Sequence, residues 1–230
     1  MSGNASTAIY TASTWIIPVL LAVTLHEAAH GYAARRFGDN TAWMMGRVTL
    51  NPLKHVDPFG TIILPGLLLL ARSPFLFGYA KPVPVNFGAL RNPRRDMIFV
   101  ALAGPGTNMA LAIISAILLN LTPLAPQPAS AWMTQNLVNS IIINVVLAVF
   151  NMLPIPPLDG GRVLTGLLPL SLAKPFAELE RYGLLILLAI IFILPLLGQN
   201  LGLNLDFFGR FIAWVSDGII NVILRVTGLE

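Results

Sequence analysis

His26 and His30 bracket Glu27-Ala28-Ala29 at the end of an apolar run from Trp15 to Leu25. Helical residues at i and i+4 share a face one turn apart, so both imidazoles can grip a single zinc ion. The glutamate between them is suited to take a proton from a water activated by that ion. Such a helix ordinarily belongs to a soluble metalloprotease. Here it begins in sequence apolar enough for a bilayer, where an ionisable residue is costly and marks function.

A catalytic zinc takes three protein ligands and leaves the fourth position to water. The chain has three histidines and no cysteine, so the third ligand is His55 or a carboxylate. Most of the ten acidic residues stand beside basic ones, in loops or near chain ends. Asp159 differs, because it follows an apolar run broken by Pro154, Pro156 and Pro157. Gly160 and Gly161 behind it permit tight backbone geometry and close helix approach. His26, His30 and Asp159 are therefore the preferred ligand set, with Glu27 as general base. Peptide hydrolysis also needs a stabiliser for its tetrahedral oxyanion. Asn151, in the apolar run ahead of Asp159, is the best candidate; Asn108 and Asn144 are weaker ones. His55 either braces the turn after Asn51-Pro52 or touches the metal or its water.

These residues must be carried by membrane-spanning elements. The chain of 230 residues is 56% hydrophobic and 10% charged, with a mean hydropathy of +0.76. A soluble domain carries about 25% charged residues. The net charge of +4 does not signal nucleic-acid binding, because its basic residues flank apolar runs as cytoplasmic membrane flanks do. Without cysteine, disulfides, thiolate metal sites and cysteine nucleophiles are excluded. Met1 to Thr14 has no basic residue and does not read as a signal peptide.

The first helix is expected from Ser13 to Arg36, ended by Gly38, with Pro18 placed to kink it. The pair Arg35-Arg36 marks its cytoplasmic end. His30 lies about 8 Å and His26 about 14 Å from Arg35 along a helix axis, so the site is expected to be shallow and near the cytoplasmic face. Trp43 to Leu50 reads as a short strand or hairpin, and Asn51 to Pro58 as turns. Gly60 to Ala71 is apolar, but about 12 residues reach only about 18 Å, too short to cross. Ser73 to Leu90 reads as extended or looped, and the pair suggests a short helix with a re-entrant segment sheltered by a cavity. Spans follow from Asp96 to Asn120, Asn136 to Leu153, Tyr182 to Leu197 and Phe207 to Val226. Gly104-Pro105-Gly106 in the first of these lets another helix approach closely. With the sides of Arg72 and Arg210 undecided, every other basic residue fits the cytoplasmic side, which puts the N-terminus outside and the C-terminus inside. The fold class is an all-α polytopic membrane protein of about five to six transmembrane or re-entrant helices, with a small β-like hairpin or re-entrant loop.

His26-Glu27-Ala28-Ala29-His30, together with the run Phe150 to Gly161 that contains Asn151 and Leu158-Asp159-Gly160, resembles the paired signature of the site-2 proteases, intramembrane zinc metalloproteases. Asn51-Pro52 with His55 and Asp57-Pro58, the stretch Gly78 to Asn86, and Ala103-Gly104-Pro105 with Asn108 are similar to segments of its compact prokaryotic members. The resemblance covers residues 14–168. It implies that His26, His30 and Asp159 bind Zn2+, that Glu27 is the catalytic acid and base, and that Asn151 assists near the metal. It also implies regulated intramembrane proteolysis. The substrates would be single-span membrane proteins, such as anti-sigma factors or other tethered regulators, often already trimmed by another protease. PDZ and CBS domains are not expected. The chain is expected to form one transmembrane domain over residues 1–230, with a catalytic core at 14–168 and a C-terminal helical pair at 169–230. The expected setting is a prokaryotic cell membrane.

Each reading has a plainer rival. Asp159 can be a turn or capping aspartate, Asn151 a helix-to-helix hydrogen-bonding residue, and Lys81 to Asn86 a proline-stiffened loop rather than an edge for strand addition. For the whole chain the rivals are an inactive zinc-holding scaffold and a transporter-like protein. An ion path wants charges on several spans, which have almost none beyond the proposed site.

Overall fold

The computed structural model describes residues 2–70, 78–203 and 205–229. Ala71, Arg72 and Ser73 with Pro74 lie outside the described residues. The first helix, α1 (Ser2–Arg36), starts earlier than expected and ends where the sequence points. Gly38 takes φ +113°, the Gly38 amide donates to the Arg35 carbonyl, and the Asp39 amide reaches back to the Ala34 carbonyl. That reciprocal pair is a Schellman stop, which favours glycine at its left-handed position.

Trp43 to Leu50 does not form the expected strand or hairpin. Its start belongs to a helical turn, α2 (Thr41–Met44). Asp39 Oδ1 accepts from the Thr41 amide at 2.8 Å and so starts a turn where residue types alone suggested extension. Asn51 caps the next turn through the Leu53 amide, and Asp57 caps the one after it through the Phe59 and Gly60 amides. From there a π-helical turn, Pro58–Ile63, runs into α3 (Leu64–Leu70), a piece too short to cross a bilayer.

Residues 78–86 are neither helix nor strand, and no strand is assigned among the described residues. Pro82 and Pro84 remove two ladder donors. The segment is pinned instead by the His55 carbonyl on the Lys81 amide, by Arg47 on the Lys81 and Pro82 carbonyls, and by Asp39 Oδ2 on the Asn86 amide.

Two long helices follow, α4 (Pro93–Leu119) and α5 (Ala129–Asn151). After the proline-broken stretch come α6 (Asp159–Leu167), α7 (Leu170–Glu178), α8 (Gly183–Leu188), α9 (Leu194–Asn200) and α10 (Phe207–Val226). Among the described residues, five stretches are long and apolar enough to span a membrane: 9–36, α4, α5, 170–199 and α10. The chain is an all-α, multi-pass membrane protein.

Helices α1, α4 and α5 pack on one another, α6 lies on α4, and α10 lies on α5. Ala112, Ala116, Ile141, Val145 and Ile223 form the apolar centre of this bundle. Polarity runs opposite to that of a soluble protein: Asn108, Asn139, Asn144, Thr14 and Ser115 are buried, while Ile16, Ile117, Leu185 and Trp214 are exposed. Hydrocarbon can solvate the outer residues but offers no hydrogen bonds, so polar side chains turn inward and join helices.

Candidate metal centre

Helices α1 and α4 are held at closest approach by Gly104. A β-carbon there would strike His30 Nε2 and the His26 ring, so only hydrogen lets α4 lie against both imidazoles. The chains run past each other with matched periods. Val100, Gly104 and Asn108, spaced four apart on α4, face His30, the two rings and His26 in turn.

Both imidazoles are buried, and both have their Nδ1 engaged. His30 Nδ1–H donates to the Val100 carbonyl at 2.8 Å, and His26 Nδ1–H donates to Asn108 Oδ1 at 2.6 Å. The opposite nitrogens therefore carry lone pairs, and they face each other at 3.0 Å. Asp159, the first residue of α6, completes the group: its Oδ2 lies 3.3 Å from His26 Nε2 and 3.2 Å from His30 Nε2.

Gly160 makes that placement possible. A β-carbon on it would collide with the Met152 and Leu153 carbonyls, so the chain can double back after α5 only without one. Arg162 reaches the other Asp159 oxygen at 3.8 Å and Glu180 at 3.1 Å, bridging the aspartate to the segment after α7.

The donor set fits zinc. Asp159 Oδ2 is buried and has no hydrogen-bond partner among the described residues. Two donors about 2.0–2.1 Å from a tetrahedral ion stand about 3.3 Å apart, close to the spacing of these three atoms. Outer hydrogen bonds on the distal ring nitrogens are also what metal-binding histidines use to fix their orientation.

Glu27 is half-buried, and its Oε2 accepts from the Val83 amide at 2.7 Å, so the 78–86 segment holds this carboxylate. Asn151 closes α5 and donates from Nδ2 to the Leu147 carbonyl; it makes no hydrogen bond to His26, His30 or Asp159. His55 is not brought to the three donors. Its Nε2–H donates to the Thr49 carbonyl, and its Nδ1 is buried without a partner among the described residues. Asn108 sits behind His26, where Asn144 Oδ1 accepts from its Nδ2 at 2.8 Å.

The Val100 carbonyl and Arg162 were not singled out by residue type. A backbone acceptor has no side-chain signature, while Arg162 sits three residues after Asp159 and was legible as its i,i+3 neighbour.

About 700 Å³ of cavity is lined by Val23 and Thr24 of α1, Val146 and Leu147 of α5, Ile212 of α10, His55 and Tyr79; His26, Glu27, His30 and Asp159 are not part of its lining.

The sequence profile of peptidase family M50 matches residues 14–139 and 124–194. The chain is 40% identical over 185 residues to "Putative zinc metalloprotease YwhC" of Bacillus subtilis, covering 79% of this chain and 80% of that protein. It is 31% identical over 211 residues to "Putative zinc metalloprotease Rip2" of Mycolicibacterium smegmatis, covering 91% and 76%. With "Putative zinc metalloprotease MJ0611" of Methanocaldococcus jannaschii the identity is 35% over 143 residues, 60% of this chain and 62% of the relative. No solved structure matches the chain. A profile that spans most of the sequence and relatives aligned over 79% and 91% of it agree with the buried His-His-Asp group, and the chain belongs to peptidase family M50, the site-2 protease family of membrane zinc metalloproteases.

Proposed function

We propose that the protein hydrolyses peptide bonds in transmembrane segments of membrane-tethered proteins, with zinc held by His26, His30 and Asp159. The observation that carries this reading is the convergence of three unshared donor atoms inside a bundle of membrane spans. When bound, zinc polarises a scissile carbonyl and lowers the pKa of water to about 7.

Glu27 removes a proton from the attacking water as its oxygen bonds to the carbonyl carbon. The same carboxyl returns the proton to the leaving nitrogen as the C–N bond breaks. The Val83 amide orients Glu27 for both transfers. Asn151 is proposed to assist at the reacting carbonyl, with its side chain turning from the Leu147 carbonyl to do so.

A helical substrate hides its peptide bonds in its own hydrogen bonds, so it must unwind locally before it is cut. The apolar cavity between α1, α5 and α10 suits a hydrophobic segment, and the non-helical backbone of 78–80 at its wall is proposed to offer hydrogen bonds to an unwound one. Arg35 and Arg36 at the end of α1, with Arg94 and Arg95 at the start of α4, support a site near the cytoplasmic face of a prokaryotic cell membrane. Residues 14–168 would form the catalytic core and 169–230 a C-terminal helical pair in one domain. Anti-sigma factors and similar tethered regulators are the proposed substrate class, in regulated intramembrane proteolysis.

The test pairs zinc content with cleavage of a tagged single-span substrate in detergent, for wild type and Glu27→Gln. Zinc in both and cleavage only by wild type is the expected result. A protein that holds no zinc would overturn the reading.

A further inference from the structure

We propose that Asn108 is a positioning residue that fixes which nitrogen of His26 faces the metal, and that Asn144 sets the direction in which Asn108 works. The inference rests on the zinc-site reading above and adds residues that touch neither the metal nor a substrate.

The argument starts from atoms whose hydrogen-bonding role cannot change. Backbone carbonyls only accept. Asn144 Nδ2 lies 2.9 Å from the Ser140 carbonyl, which turns the Asn144 amide nitrogen that way and leaves Oδ1 pointing at Asn108. Asn108 Nδ2 lies 2.8 Å from that oxygen and 3.2 Å from the Ala22 carbonyl. Two acceptors therefore claim the Asn108 amide nitrogen, and its Oδ1 is left facing His26. Only a protonated Nδ1 can donate to that oxygen, so His26 Nε2 must present a lone pair to His30 and Asp159.

Were Asn108 reversed, its oxygen would face two other oxygens and its amide group would face His26. Asn108 and Asn144 are 0% and 1% exposed, so no water is at hand to relieve the mismatch. Ser140 Oγ, 3.3 Å from Asn144 Nδ2 and 2.8 Å from Ser115 Oγ, ties the far end of the chain back to α4.

His30 supplies an internal control. Its Nδ1–H bonds the Val100 carbonyl directly, so its orientation is set by backbone and needs no relay. His55 donates from the opposite nitrogen, Nε2, to the Thr49 carbonyl. The three histidines should thus give three separable ring signals, and only one of them depends on Asn108.

The test uses full-length protein in detergent, loaded with zinc and labelled with nitrogen-15 on histidine. Zinc affinity is read by competition with a chelator, and ring N–H signals by NMR. In wild type, His26 and His30 show hydrogen-bonded Nδ1 protons. In Asn108→Leu the His26 signal moves to that of an unbonded ring or vanishes, His30 and His55 keep theirs, and zinc binds about 10- to 100-fold more weakly.

Asn108→Asp, which keeps an acceptor for His26, restores the His26 signal and part of the affinity. Asn144→Leu disturbs the His26 signal as well, with a smaller loss of affinity, although it touches no ligand. That variant keeps the Asn108 side chain and the Ala22 carbonyl beside it but removes the acceptor that orients Asn108, and it carries the test if Asn108→Leu does not fold.

Zinc affinity and a His26 signal unchanged from wild type in both leucine variants would overturn the proposal, as would equal disturbance of His30. Wild-type zinc affinity in His26→Ala would instead overturn the ligand assignment beneath it.

Discussion

In the proposed reading, Glu27 is the residue whose chemistry separates a metal holder from a protease. Its carboxylate bonds the Val83 amide and no proposed ligand, so Glu27→Gln should leave zinc content at the wild-type level. Turnover should fall by at least about 10²- to 10⁴-fold, the usual worth of a positioned acid-base group, as measured by cleavage of a tagged single-span substrate. Asp159→Ala should behave in the opposite way. It removes a ligand atom and leaves the two imidazole lone pairs, 3.0 Å apart, without their anionic partner, so a chelator should strip zinc more easily. The grouping of His26, His30 and Asp159 could be read from residue order because a helix fixes the His26–His30 spacing and three prolines single out Asp159. The positions of Asn108 and Asn144 could not be read that way. Each is a plain polar residue in an apolar run, and the side chain it meets is set by how α1, α4 and α5 pack, which the order of residues does not state.

Between elements, the decisive contact is α1 against α4 across Gly104. Gly104→Ala should push the helices apart at the rings, with a loss of about 1–3 kcal/mol typical of overpacking and reduced zinc occupancy, read by thermal unfolding in detergent and metal content. Gly106→Ala is the matched control. It lies on the same helix with open space where its β-carbon would go, and it should leave both readouts intact. Gly160→Ala should cost more than either, since the obstacles are the backbone carbonyls of Met152 and Leu153 rather than side chains that can move. Element ends were legible wherever a local signal sets them, such as Gly38 after α1 or the prolines after α5. Trp43 to Leu50 was misread because a single aspartate, Asp39, starts a helical turn among residues that otherwise suit extended backbone.

For the whole molecule, zinc ties α1 to α6 on the proposed ligand set, so metal and fold should be linked. Free zinc at 100 times its dissociation constant should stabilise the protein by about 2.7 kcal/mol over the metal-free form. A rise in the unfolding temperature on adding zinc, present in wild type and lost in Asp159→Ala, checks this. The inward-facing asparagines and outward-facing aliphatics predict that the bundle needs an apolar surround. Multi-pass character was legible from composition; the order in which the spans pack was not, because the apolar residues that dominate each span face neighbours and lipid alike. The separation of the donors along the chain has a further consequence. His26 and His30 leave the ribosome early and enter the membrane with α1, while Asp159 is made only after α4 and α5 have followed. On the proposed ligand set, a nascent chain caught midway through insertion holds two thirds of a metal site, and the site is completed only once synthesis has passed Asp159.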